Sequence, residues 1–210
     1  MTRIMTLLSM TGLIWSLATL GATPDGRVSD QAIAVSTAEL MRLGTAAERA
    51  CHIAEAISAY EKLLQRDLSY ERILAPRLVD LYVAGGQPAR ALSWAGRVAS
   101  RHPDPQAYLA GVHARLRQWK EAEILLRQTL HATTALRKRL PLLWQLADVQ
   151  EGQGDSAAAV VTLSGACEAT PDEALRKTSA QRLAALRKRI SRSLESREKI
   201  RTVSKKEAQP

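Results

Sequence analysis

The chain has 210 residues, a formal net charge of +9 and 46% apolar residues, yet only 4% aromatics and no Phe. That length suits one domain with a sizeable core, and an Ala- and Leu-rich composition without alternating β-branched runs excludes a sheet-based fold. The charge is local: 12 Lys/Arg against 2 Asp/Glu lie between Ala174 and Lys206, a net +10 that leaves −1 elsewhere, so any affinity for polyanions belongs to that segment alone.

The chain opens with MTRIMTLLSMTGLIWSLATLGA, in which Arg3 precedes an uncharged apolar run ending in small residues. This is the layout of a secretory signal. A cut after Ala18 places Ser16 at −3, and one after Ala22 places Leu20 there. The run is also long enough to serve as an uncleaved anchor. Either way, residues 1–22 predict a body outside the cytoplasm, periplasmic or tethered to a bacterial envelope. A short linker, 23–32, follows.

From residue 33 the pattern becomes a succession of short amphipathic helices. The predicted hairpins pair 33–47 with 50–66, 70–84 with 88–101, 105–117 with 119–131, and 136–151 with 155–169. Breaks are expected at Gly44-Thr45, at Gly85-Gly86, at His102-Pro103-Asp104-Pro105 and at Gly152-Gln153-Gly154. Glycine takes the left-handed position that ends a helix, and proline suits the first helical position of the next. Asp104 and Asp155 are expected N-caps. Pro76 and Pro141 predict a late start or a kink in two of the first helices.

The second helices align in register. Ala56, Ala91, Ala122 and Ala159 stand at intervals of 35, 31 and 37, and four residues after each comes Tyr60, Ala95, Leu126 or Leu163. Pro103 and Pro171 close the second and fourth units twelve residues after the alanine. Gly44 lies twelve before the first alanine, and Tyr82 nine before the second. The best unit carries Leu78, Tyr82, Ala91, Val98 and Pro103; the third lacks its closing proline. Over 33–171 this spacing resembles the tetratricopeptide repeat, a helix–turn–helix unit of about 34 residues, here in an exported bacterial chain. The resemblance implies an all-α, right-handed α-solenoid of about four hairpins.

After Pro171, Leu175, Leu183, Leu186, Ile190 and Leu194 fall on one stripe, which predicts a capping helix over 172–194. Residues 195–210 lack the stripe and are expected to form a basic, disordered tail.

The chemistry of catalysis is not visible in this sequence. His52, His102, His113 and His131 are scattered without a ligand pair, and there is no nucleophile elbow or phosphate loop. No cofactor, metal or small-molecule substrate is expected. Cys51 and Cys167 are separated by three units, too far for the ~7 Å Cα limit of a disulfide, and are read as buried small apolar residues. Trp94 and Trp119 are read as packing against the following repeat.

The resemblance instead implies a groove lined by the first helix of each hairpin. In register, its positions include Met41, Thr45 and Glu48, then Ile73, Asp80 and Val83, then Ala107, Gly111 and Ala114, then Trp144, Asp148 and Glu151. Arg42, Arg77 and Tyr108 lie on its edge. The candidate partner-binding set is Arg77, Asp80, Tyr108, Trp144 and Asp148, with Trp144 equally readable as packing between hairpins. Some family members clamp an acidic C-terminal peptide with Lys and Asn residues, and no such set stands at the matching positions. The function expected is therefore a non-enzymatic scaffold or assembly factor of the envelope, binding an apolar or mixed-charge segment of another protein. The alternative rests on Arg187, Lys188, Arg189 and Arg192, candidates for holding an anionic membrane surface or polymer. Nucleic acid suits that segment least, because no aromatic interleaves the basic run.

Overall fold

The computed structural model describes residues 35–207. The expected signal segment 1–22 and linker 23–32 lie outside the described residues. Among those described, all regular structure is helical. α1 (Thr37–Arg49) pairs with α2 (Ile53–Arg66), α3 (Glu71–Ala84) with α4 (Pro88–Ala99), α5 (Pro105–Arg115) with α6 (Trp119–Ala132), and α7 (Leu136–Gly152) with α8 (Ser156–Glu168). A 3-10 turn, Leu68–Tyr70, joins the first two hairpins, and α9 (Glu173–Glu207) packs on α8. Substantial contacts run from each helix to its neighbour in the chain, with α5 also touching α7. This is an all-α solenoid of four TPR-like hairpins closed by a ninth helix.

One turn geometry recurs in all four hairpins. Cys51, Gly86, Arg117 and Gly154 each stand five residues before the repeat alanine and have φ of 59°, 66°, 58° and 85°. In each turn the next residue's N–H reaches back five positions: His52 to Ala47 at 2.8 Å, Gln87 to Tyr82 at 2.9 Å, Gln118 to His113 at 2.9 Å and Asp155 to Gln150 at 2.9 Å. These are Schellman closures. The first turn therefore falls at Cys51, and the break expected at Gly44-Thr45 is not one. Cys51 is correspondingly exposed rather than buried, because a left-handed helix terminus turns its side chain outward, while Cys167 is half-buried and both thiols are free.

Gly44 has another role. It lies buried inside α1, where an added Cβ would sit 2.4 Å from Cε1 of the fully buried Tyr60 ring. The same pair of positions, sixteen residues apart, holds Val79 with Ala95, Ala110 with Leu126 and Ala147 with Leu163, all buried and clustered pairwise. Bulk on one helix is matched by its lack on the other, so the hairpins close to similar depth from different residues. The repeat alanines Ala56, Ala91, Ala122 and Ala159 are all fully buried where their helices meet their neighbours.

The start signals act unevenly. Ser36 caps α1 by accepting from the Glu39 N–H at 3.1 Å, and Asp155 caps α8 through the Ala158 N–H at 3.0 Å. Asp104 precedes α5 without a side-chain cap; its N–H is instead held by His102 Nδ1, 3.1 Å away. α3 and α7 continue through Pro76 and Pro141, each the sixth helical residue. The missing donor there frees only the carbonyls of Arg72 and Arg137, both in an exposed first turn.

The stripe of α9 is buried at Leu186 and half-buried at Leu183 and Ile190, where it covers Ala159 and Leu163 of α8. Packing stops there, since Leu194 is 58% exposed. The helix nevertheless continues to Glu207 where a disordered tail is expected. No Gly or Pro interrupts 173–207, and Glu195 stands four residues before Lys199, a favourable helical spacing.

Candidate functional site

The residues expected to line the groove lie on α1, α3, α5 and α7, as the repeat register requires, but most of their charges are already matched. On α1, Glu48 accepts from the Tyr60 hydroxyl at 2.7 Å and pairs with Arg77 of α3 at 3.4 Å. Arg77 also donates to the Tyr60 hydroxyl at 3.0 Å, so one phenol ties two first helices together. Asp80 of α3 pairs with Arg115 of α5 at 2.6 Å. Asp148 and Glu151 of α7 pair with Arg182 and Arg189 of α9 at 3.3 and 2.5 Å. Each acid reaches a base on the following first-type helix, with α9 in the place a fifth would take.

The side chains of these pairs are about a third to two thirds exposed, so each pair contributes at most about 1 kcal/mol. Their larger effect is on recognition, because a paired charge offers less to a partner. The sequence carries a trace of the ladder: Asp80 and Asp148 both stand eleven residues before the repeat alanine, and Glu48 and Glu151 both stand eight before it. The basic partners sit at spacings from 29 to 38, which show no pattern until the helices are placed.

Trp144 sits beneath this last rung. Its Nε1 donates to Oγ of the buried Ser179 at 3.0 Å, and the Arg182 guanidinium covers its ring at 5.2 Å. It packs between the fourth hairpin and α9, as the plainer of its two readings holds, and is removed from the open groove. Trp119 packs against Gly152 at the end of α7, where an added Cβ would meet the indole at 2.7 Å. Trp94 packs in the second hairpin's core under Arg97, whose guanidinium lies 4.8 Å from the ring.

The ladder is broken once, between α5 and α7. The third unit carries Gly111 and Ala114 at the two ladder positions, where the second unit has Asp80 and the fourth has Asp148 and Glu151. A cleft of about 490 Å³ opens there, with Ala107, Gly111, Pro141 and Leu142 along its floor and Tyr108, Arg137 and Lys138 at its rim. A Cβ on Gly111 would meet no atom within 4 Å, so the backbone itself faces open space. The Tyr108 ring leans on His102 with centroids 5.2 Å apart. Burial, with the Asp80 carboxylate adding to it, pushes the Tyr108 phenol above its ordinary value and keeps it a neutral donor. Of the five candidate residues, Tyr108 lines this cleft directly and Asp80 borders it through Arg115, while Arg77, Trp144 and Asp148 are engaged elsewhere.

Of the basic candidates, Arg189 is paired with Glu151, whereas Arg187, Lys188 and Arg192 are exposed. Two further clefts lie away from the groove, one of about 650 Å³ beside α6 and α8 and one of about 660 Å³ where α3 meets α4. Among the described residues no three His, Cys, Asp or Glu side chains gather as a metal-holding group, and no helix is long and apolar enough to cross a membrane.

No family model and no curated protein matches the sequence. Among solved structures, the crystal structure of MamA protein is similar with a TM-score of 0.45 and 18% identity, over 78% of this chain and 92% of that one. A Podosopora anserina putative kinesin light chain with nearly identical TPR-like repeats gives 0.49 and 20%, over 82% and 97%.

Proposed function

We propose that this chain is a non-enzymatic scaffold or assembly factor that holds a segment of another protein in the cleft between α5 and α7. The observation that carries this reading is the single interruption of the ion-pair ladder. Elsewhere the first helices satisfy one another; at Ala107, Gly111 and Ala114 they present small residues and open backbone. An apolar floor with Tyr108, Arg137 and Lys138 at its edge fits a short extended or helical segment with an aliphatic anchor and a nearby acid or hydroxyl. Its setting outside the cytoplasm is supported by the N-terminal signal-like segment.

Gly111→Trp tests the reading. Gly111 lines the cleft and an added Cβ there meets no atom within 4 Å, so the indole is expected to occupy the space a partner would take. Crosslinking pull-down with the full chain, followed by identification of what is retained, is expected to lose the partner on this substitution while Tm is unchanged or higher. An unchanged partner set would move binding away from the cleft.

A further inference from the structure

The distal part of α9 is unexplained by the groove. From Ser191 to Arg201 every residue is exposed, because the helix has run past the last hairpin it packs against. At 1.5 Å per residue, the stretch from Ser191 to Glu207 projects roughly 25 Å. Among the described residues no body acid reaches Arg197 or Arg201, since Arg182 and Arg189 already take the acids of α7, and the acids within 174–206 are Glu195 and Glu198 alone.

The side that packs on α8 further back continues outward as Leu194, Arg197, Ile200 and Arg201, spaced at three and four residues so that they share a face. Leu194 is 58% and Ile200 67% exposed. Two aliphatic side chains set between arginines have little use against a phosphodiester backbone, which offers charge and polar oxygens but no hydrocarbon layer. They suit a surface with anionic headgroups above hydrocarbon, where arginine stems lie along the apolar layer and guanidiniums stay among phosphates. We infer that the projecting end of α9 docks the protein on an anionic phospholipid surface, through Arg197 and Arg201 with Leu194 and Ile200 entering the headgroup layer. This docking is independent of the α5–α7 cleft.

The test uses the full chain and flotation with vesicles of phosphatidylcholine alone or with 30 mol% phosphatidylglycerol. The N-terminal apolar segment is common to all samples, so the readout is the ratio of affinities for the two vesicles. Each cation near such a surface contributes about fivefold, so the two facing arginines are expected to give a preference for the anionic vesicles of at least ~20-fold at low salt. The combined change Arg197→Glu and Arg201→Glu is expected to abolish the preference, and Leu194→Ser with Ile200→Ser to lower affinity several-fold at all salt concentrations. Far-UV circular dichroism reports whether the helix persists; the four side chains are exposed. Equal binding to both vesicles, or a preference that survives charge reversal, would overturn the inference. So would binding to single-stranded DNA as tight as to anionic vesicles and insensitive to the serine substitutions.

Discussion

Replacing Gly44 by Ala tests whether hairpin closure is set by complementary bulk across the two helices. The new Cβ would lie 2.4, 2.6 and 3.0 Å from Cε1, Cδ1 and Cζ of Tyr60, against an ordinary carbon contact of about 3.5–4 Å. The ring cannot swing aside freely, because its hydroxyl is held by Glu48 and Arg77 at 2.7 and 3.0 Å. Overpacking of this kind costs about 1–3 kcal/mol, and losing the hydroxyl's partners adds about 1 kcal/mol. The better helix propensity of alanine returns about 1 kcal/mol. The net is a loss of about 1–3 kcal/mol, or a fall in Tm of roughly 2–12 °C for a chain of this size. Gly111→Ala supplies the contrast: with no atom within 4 Å of its Cβ, it should gain about 0.5–1 kcal/mol by propensity alone. Adding Tyr60→Leu to Gly44→Ala rebuilds the Ala–Leu pairing seen at Ala110 with Leu126 and at Ala147 with Leu163. A double-mutant cycle by differential scanning calorimetry should then show a favourable coupling of at least about 1 kcal/mol. A Gly44→Ala protein as stable as Gly111→Ala, or a coupling near zero, would refute the reasoning.

Other substitutions follow from the same geometry. Cys51→Gly and Arg117→Gly, at φ of 59° and 58°, should each raise stability by about 0.5–1 kcal/mol, while Gly86→Ala and Gly154→Ala should each lower it by about 1 kcal/mol, as read from thermal unfolding. Asp155→Ala should cost about 1 kcal/mol through the lost cap on α8, whereas Asp104→Ala, which removes no side-chain cap, should change Tm little. The Tyr82 phenol is pushed up to about 12 by burial, with Glu61, to which it donates, adding to the shift. Because its folded value lies above the ordinary 10, its contribution to stability is complete below pH 10 and is lost as pH rises toward 12. Absorbance at the tyrosinate band should show a late titration step that Tyr82→Phe removes.

Helix pairing was legible because it depends on local signals: the repeat alanines, Pro88 and Pro105 at first helical positions, and Asp155 as a cap. The left-handed residue of the first turn was not, because it is Cys51, a residue with no turn signature, while the conspicuous Gly44 makes room for the Tyr60 ring sixteen residues on. A glycine that admits a neighbour and one that ends a helix look alike until φ is known. The capping role of α9 could be read from its stripe to Ile190; its continuation to Glu207 needed only the lack of a breaker, since a helix can outrun its packing. The groove was legible as a set of positions but not as a state of charge. Glu48, Asp80, Asp148 and Glu151 read as free acids in the sequence, and only helix placement shows their partners. The same comparison revealed what the pattern of missing acids in the third unit means, an opening at Gly111.

Site-specific photocrosslinking reports directly whether a partner docks in the α5–α7 cleft. A benzoylphenylalanine is placed at Gly111 or at Gly96, both helical positions whose Cβ meets no atom within 4 Å, but only the first facing the cleft. The full chain is irradiated in intact cells and the adducts are resolved by mass. A discrete protein adduct from position 111 and none from position 96 is the predicted result. No adduct from 111, or the same adducts from both positions, would contradict the account.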